Sequence, residues 1–69
     1  MYIVEYRGNG DYLKKGYWKG IKKHTTMFLS EAHRFTPFEL KLALKTILHN
    51  KQKFKVYKVG GINDIRDDL

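Results

Sequence analysis

The chain has no cysteine, a single proline (Pro37), a single serine (Ser30), and only 7 acidic residues against 14 Lys plus Arg in 69. Without cysteine there is no disulfide to staple a small domain, no thiol nucleophile and no thiolate metal ligand. The longest apolar run, Met1-Tyr2-Ile3-Val4, is short; a membrane-spanning helix needs ~20 such residues. No charged-then-apolar leader of a secretory signal opens the chain. A cytoplasmic protein without a membrane partner is therefore expected. The length admits one domain, with no room for separate catalytic and cofactor domains. A chain this short buries only ~60% of the surface it exposes when unfolded.

What is present reads as a folded domain, because 42% hydrophobic and 14% aromatic residues are too many for a disordered basic tail. Over residues 1–7, Tyr2, Val4 and Tyr6 alternate with Ile3, Glu5 and Arg7, as in a strand with one wetter face. Gly8-Asn9-Gly10-Asp11 supplies a tight turn. A second strand is expected over residues 12 to about 21, with Gly16 and Gly20 marking bulges. After Lys22-Lys23-His24, a third is expected over 25–29. Residues 54–59 make a last strand, with Phe54 and Val56 on one face and Lys55, Tyr57 and Val59 on the other.

Thr36-Pro37-Phe38-Glu39 is a capping box with proline at the first helical position. In it Thr36 accepts from the N–H of Glu39, and the Glu39 carboxylate reaches back to the N–H of Thr36. Phe35 and Leu40 flank this cap as a hydrophobic staple. The helix is expected to run to about His49 or Asn50, burying Leu40, Ala43, Leu44, Ile47 and Leu48, with Lys41 and Lys45 on its wet face. Asn50 tolerates the left-handed conformation that ends helices.

The order strand, strand, strand, helix, strand implies an α+β domain over residues 1–61. It is a small antiparallel sheet with one amphipathic helix packed on one face, β-β-β-α-β. The last eight residues, 62–69, set Asp64, Asp67 and Asp68 against Arg66 and carry −2, which leaves +9 on residues 1–61. This acidic tail is expected to be mobile, although Ile62, Ile65 and Leu69 are spaced for a short docked turn.

The catalytic inventory is thin. His24, His33 and His49 lack paired metal-ligand spacing. Gly8-Asn9-Gly10 lacks the Gly-Lys-Ser/Thr ending of a phosphate loop. Ser30, Glu31 and His33 read as a polar lead-in to the helix rather than a hydrolytic triad, which needs a third group orienting the base in a shaped cleft. No enzymatic activity, cofactor or metal is expected.

The basic, aromatic segment is more suggestive. Lys14, Lys15, Lys19, Lys22 and Lys23 are interleaved with Tyr17 and Trp18. Lysines offer point charges to phosphates, and Tyr17 and Trp18 can stack on bases. On an alternating strand the two rings face opposite ways, so one of them belongs to the core, and lysines on an exposed strand also protect its edge. Arg34 lies near the helix start, where the dipole disfavours a cation by ~0.3–1 kcal/mol; that position suggests a ligand role.

The stretch Ser30-Glu31-Ala32-His33-Arg34-Phe35-Thr36-Pro37-Phe38-Glu39-Leu40 resembles the "Ala, any, Arg-Phe, then a capped helix" segment of small phage and prophage proteins of unknown function. There it follows a "Tyr-Leu-Lys"-type strand, here Tyr12-Leu13-Lys14, and precedes a last strand, here residues 54–59. The resemblance implies a phage source and a cytoplasmic site of action. The architecture is also similar to the arm-site-binding amino-terminal domains of phage tyrosine recombinases, which place a sheet in the DNA major groove. That likeness implies groove contacts from Lys14, Lys19 and Lys22.

The expected function is that of a non-enzymatic, phage-type accessory protein binding nucleic acid through Lys14, Lys15, Tyr17, Trp18, Lys19, Lys22, Lys23 and Arg34. The alternative is a protein-binding module that modulates a host protein with an acidic surface, its basic charge steering association. A third possibility is self-association through strand 54–59 as an exposed edge.

Overall fold

The computed structural model describes residues 1–60 and 64–66. Strand β1 spans Tyr2–Tyr6 and β2 spans Asp11–Leu13. The turn between them closes as its residue types dictate. Gly10 has φ +75°, and its N–H donates to Tyr6 O at 2.9 Å. The Asn9 Oδ1 accepts from the N–H of Asp11 at 2.9 Å, the local bond that makes asparagine a turn residue.

β2 ends well short of the expected strand, and Gly16 is the reason. Its φ is +96°, a left-handed conformation outside the extended region of a regular strand. Two 3-10 turns follow, Tyr17–Lys19 and Ile21–Lys23. A Cβ at Gly16 would lie 2.7 Å from Cδ2 of His24, so the glycine also lets that ring close over the turns. The His24 Nδ1 donates to Gly20 O at 2.7 Å. Gly16 and Gly20 therefore flank turns and do not mark bulges.

β3 is only Thr25–Thr26, shorter than the expected 25–29. The Thr26 hydroxyl accepts from the N–H of Phe28 at 3.1 Å and donates to Glu31 Oε1 at 2.8 Å. This side-chain-to-backbone bond competes with the strand ladder and turns the chain into a 3-10 turn at Leu29–Glu31.

Helix α1 spans Pro37–Lys45. Thr36 Oγ1 accepts from the Glu39 N–H at 3.1 Å, as the capping box requires. The reciprocal half differs: Glu39 Oε2 accepts from His33 and Tyr17 instead. Phe35 and Leu40 share the core, as a staple would place them. The helix stops four to five residues early, at Thr46, whose hydroxyl donates to Leu42 O at 2.9 Å. The Leu48 N–H then reaches back to Ala43 O at 2.8 Å, satisfying a terminal carbonyl and driving Leu48 into the core. Asn50 does not end the helix. It caps the next 3-10 turn, Lys51–Lys53, by accepting from the N–H of Gln52.

β4 spans Phe54–Gly60 and β5 spans Asp64–Arg66. The sheet order is β3-β2-β1-β4-β5, and every neighbouring pair is antiparallel. The protein is thus an α+β fold with one strand more than expected, supplied by the acidic tail. The tail's other positions, 62, 63 and 67–69, and with them the expected turn through Ile62 and Leu69, lie outside the described residues. β4 lies between β1 and β5, but β5 pairs only with Lys58, Val59 and Gly60, so the edge expected over residues 54–59 is covered at its C-terminal end.

The faces alternate as the sequence implies. Val4, Leu13 and Phe54 pack with Phe35, Leu40, Ala43 and Leu48 on the helix side. Ile3 and Val59 meet Ala32 on the other, with Tyr12 and Tyr57 against them. The extended segment 32–35 ties the ends of two strands, through bridges Lys14↔Ala32 and Tyr2↔Phe35. Among the described residues no helix is long and apolar enough to cross a membrane.

Candidate nucleic-acid interface

The two 3-10 turns between β2 and β3 carry most of the residues singled out from sequence. Lys15, Lys19, Lys22 and Lys23 are exposed, and Lys14 is half-buried where it bridges Ala32. Trp18 is 50% exposed, with its ring edge-on to Tyr17 at 5.1 Å. Arg34 is exposed two residues beyond Ala32.

Tyr17 has a different role from the stacking expected of it. It is buried, and its ring packs tilted at 5.1 Å on Phe35. Its hydroxyl donates to Glu39 Oε2 at 3.1 Å. His33 Nε2 shares that oxygen at 2.7 Å, and its ring stands perpendicular to Phe35 at 4.7 Å. Tyr17, His33 and Glu39 therefore latch the basic turns to the start of α1. The lysines and Trp18 project from an anchored segment, which lowers the ordering cost of any contact they make.

Burial raises the Tyr17 phenol to about 12, helped by its hydrogen bond to Glu39 and by the charge of that carboxylate. The folded state thus holds the neutral phenol more tightly than the unfolded chain does. That stability is fully present below about pH 10 and is lost as pH rises from there through about 12. The loss should be roughly 2–3 kcal/mol for a shift of this size. Urea unfolding at pH 9 and pH 11 should show about half of it, roughly 1.3 kcal/mol, in the parent chain, and Tyr17→Phe should remove that part of the decline. An identical decline in both chains would refute the assignment.

Two other carboxylates accept from hydroxyls. Glu31 accepts from Thr26 and Glu5 from the Tyr57 hydroxyl at 2.6 Å. Among the described residues no salt bridge ties Lys15, Lys19, Lys22 or Lys23 to a carboxylate. Four neighbouring cations are left for an external anion. Glu31 bonds to Thr26 and His33 to Glu39, and the two do not converge on Ser30. No group of three metal-ligating side chains gathers among the described residues.

The fold adds residues that local reading missed. No acidic residue occurs in 12–30 or in 40–60, and the two stretches meet at a cleft of about 320 Å³. Lys22 lines it from the first stretch and Lys53 from the second, over Tyr6, Phe54, Ile21 and Ile47. Lys53 was not singled out from sequence because only the tertiary fold brings it to Lys22. The absence of acid from both stretches was the available signal. The groove-insertion geometry of the recombinase likeness does not apply, since Lys19 and Lys22 stand on 3-10 turns and not on the sheet.

No protein-family model, curated protein or solved structure matches the chain.

Proposed function

We propose that this protein is a non-enzymatic accessory protein of phage type that binds nucleic acid through the turns between β2 and β3. The observation that carries the reading is that Lys15, Lys19, Lys22 and Lys23, exposed and free of carboxylate partners among the described residues, share the 15–23 segment with an exposed Trp18. Lysines neutralise phosphates, and an exposed indole stacks on bases whatever their identity. The phage-type part of the reading rests on the Ala32-x-Arg34-Phe35 pattern alone.

Fluorescence anisotropy of a labelled strand tests the reading. Binding should be clear at low salt and weaken steeply as salt rises, because counterions are released on contact. Flat anisotropy at every salt concentration would overturn it. The protein-binding alternative would then stand on the outer face of α1. There Phe38 is 78% exposed and Leu42 54%, and with Lys41 and Lys45 they line a groove of about 220 Å³ suited to an acidic partner.

A further inference from the structure

The cleft between the two acid-free stretches has a chemistry of its own. Two cations line it, Lys22 from the β2–β3 connection and Lys53 from the α1–β4 connection. Its aromatic surface is half-buried Tyr6, whose ring packs on the buried Phe54 with centroids 5.7 Å apart and tilted by 39°. Ile21 and Ile47 add aliphatic surface. His49 also lines it; its Nδ1 donates to Thr46 O at 2.8 Å, which leaves Nε2 for a ligand. A flat apolar body with an attached anion matches this arrangement. At about 320 Å³ the cleft lies at the small end of ligand sites, which span ~300–1,000 Å³.

The shape also discriminates between nucleic acids. A duplex is read by a protruding helix or two-stranded ribbon that enters a groove. Here the lysines stand on short turns around a concavity. The bases of a duplex are stacked inside it, whereas a single strand can turn one base into a cleft and run its phosphates along the rim.

We infer that the cleft seats one nucleotide of a single strand, its base against Tyr6, Ile21 and Ile47 and its flanking phosphates held by Lys22 and Lys53. This rests on the nucleic-acid reading above and goes further, by naming single strands as the preferred ligand and extending the site to the α1–β4 connection.

The test uses the full chain and three probes: a labelled single strand, the same sequence as duplex, and adenosine monophosphate. The single strand should bind about tenfold more tightly than the duplex at equal salt. Lys53→Glu should weaken single-strand binding about tenfold, whereas Lys58→Glu, an equal charge change on the exposed β4 lysine away from the cleft, should weaken it less than about threefold. Lys53→Gln gives an intermediate loss, and far-UV dichroism confirms that each variant is folded. Adenosine monophosphate should shift the backbone amide resonances of Ile21, Ile47 and Phe54. Equal losses for the two glutamate variants, or a duplex bound as tightly as the single strand, would overturn the cleft while leaving the function in place. Absence of binding to any of the three probes would overturn both.

Discussion

Replacing Lys15, Lys19, Lys22 and Lys23 together with glutamate lowers single-strand affinity at least about a hundredfold, and the dependence on salt becomes shallower. Each lysine that neutralises a phosphate contributes about 0.7 to the slope of log affinity against log salt on a single strand, so four contacts account for a slope change of about 3. The substitution should leave the fold intact. All four side chains are exposed, and the segment is held by Tyr17 to Glu39 and by His24 to Gly20, which the variant retains. Anisotropy of the labelled strand at several salt concentrations reads both quantities. An unchanged affinity with an unchanged slope, in a variant that melts like the parent, would place the binding surface elsewhere.

Phe35→Ala lowers the melting temperature by at least ~12 °C. Phe35 is fully buried and stands where three parts of the structure meet. Its ring touches Tyr17 and His33, it shares the core with Val4 and Leu40, and its backbone exchanges two hydrogen bonds with Tyr2, at 2.7 and 2.8 Å. Truncating a buried phenylalanine to alanine costs ~3–5 kcal/mol. A domain of this length has only ~3–10 kcal/mol in total, at roughly 0.05–0.15 kcal/mol per residue. No disulfide limits the entropy of the unfolded chain. Thermal melting followed by far-UV dichroism checks the expectation. A melt within a few degrees of the parent would show that Phe35 is not the centre of the core.

The parts of this fold that were legible in sequence are those governed by local periodicity or local bonding. The alternation of Tyr2, Val4 and Tyr6 against Ile3, and of Phe54 and Val56 against Tyr57 and Val59, reports the two faces of the sheet directly. The Thr36-Pro37 start of α1 is a local hydrogen bond. What was not legible depends on single side chains overriding propensity. Gly16 takes a positive φ and ends β2. Thr26 bonds to the backbone of Phe28 and ends β3. At the end of α1, Leu48 continues the helical spacing in sequence, yet it is buried by a turn that leaves the helix. The strand Asp64–Arg66 carried two charges in three residues, so no alternation announced it.

The candidate site divides in the same way. The run of lysines with Trp18 is contiguous, so composition reveals it. That Tyr17 turns inward and Trp18 outward follows from the 3-10 turn and the pull of Glu39 on the phenol. The pairing of Lys22 with Lys53 joins residues far apart in the chain, and no local pattern encodes it.

The most direct test of the central claim is the fluorescence of Trp18, the only tryptophan, during titration with a short single strand at low and then raised salt. A saturable quench is expected at low salt and is lost as salt rises. Fluorescence that stays constant while a labelled strand is bound would contradict it, because nucleic acid would then be held without touching the turns that carry the lysines.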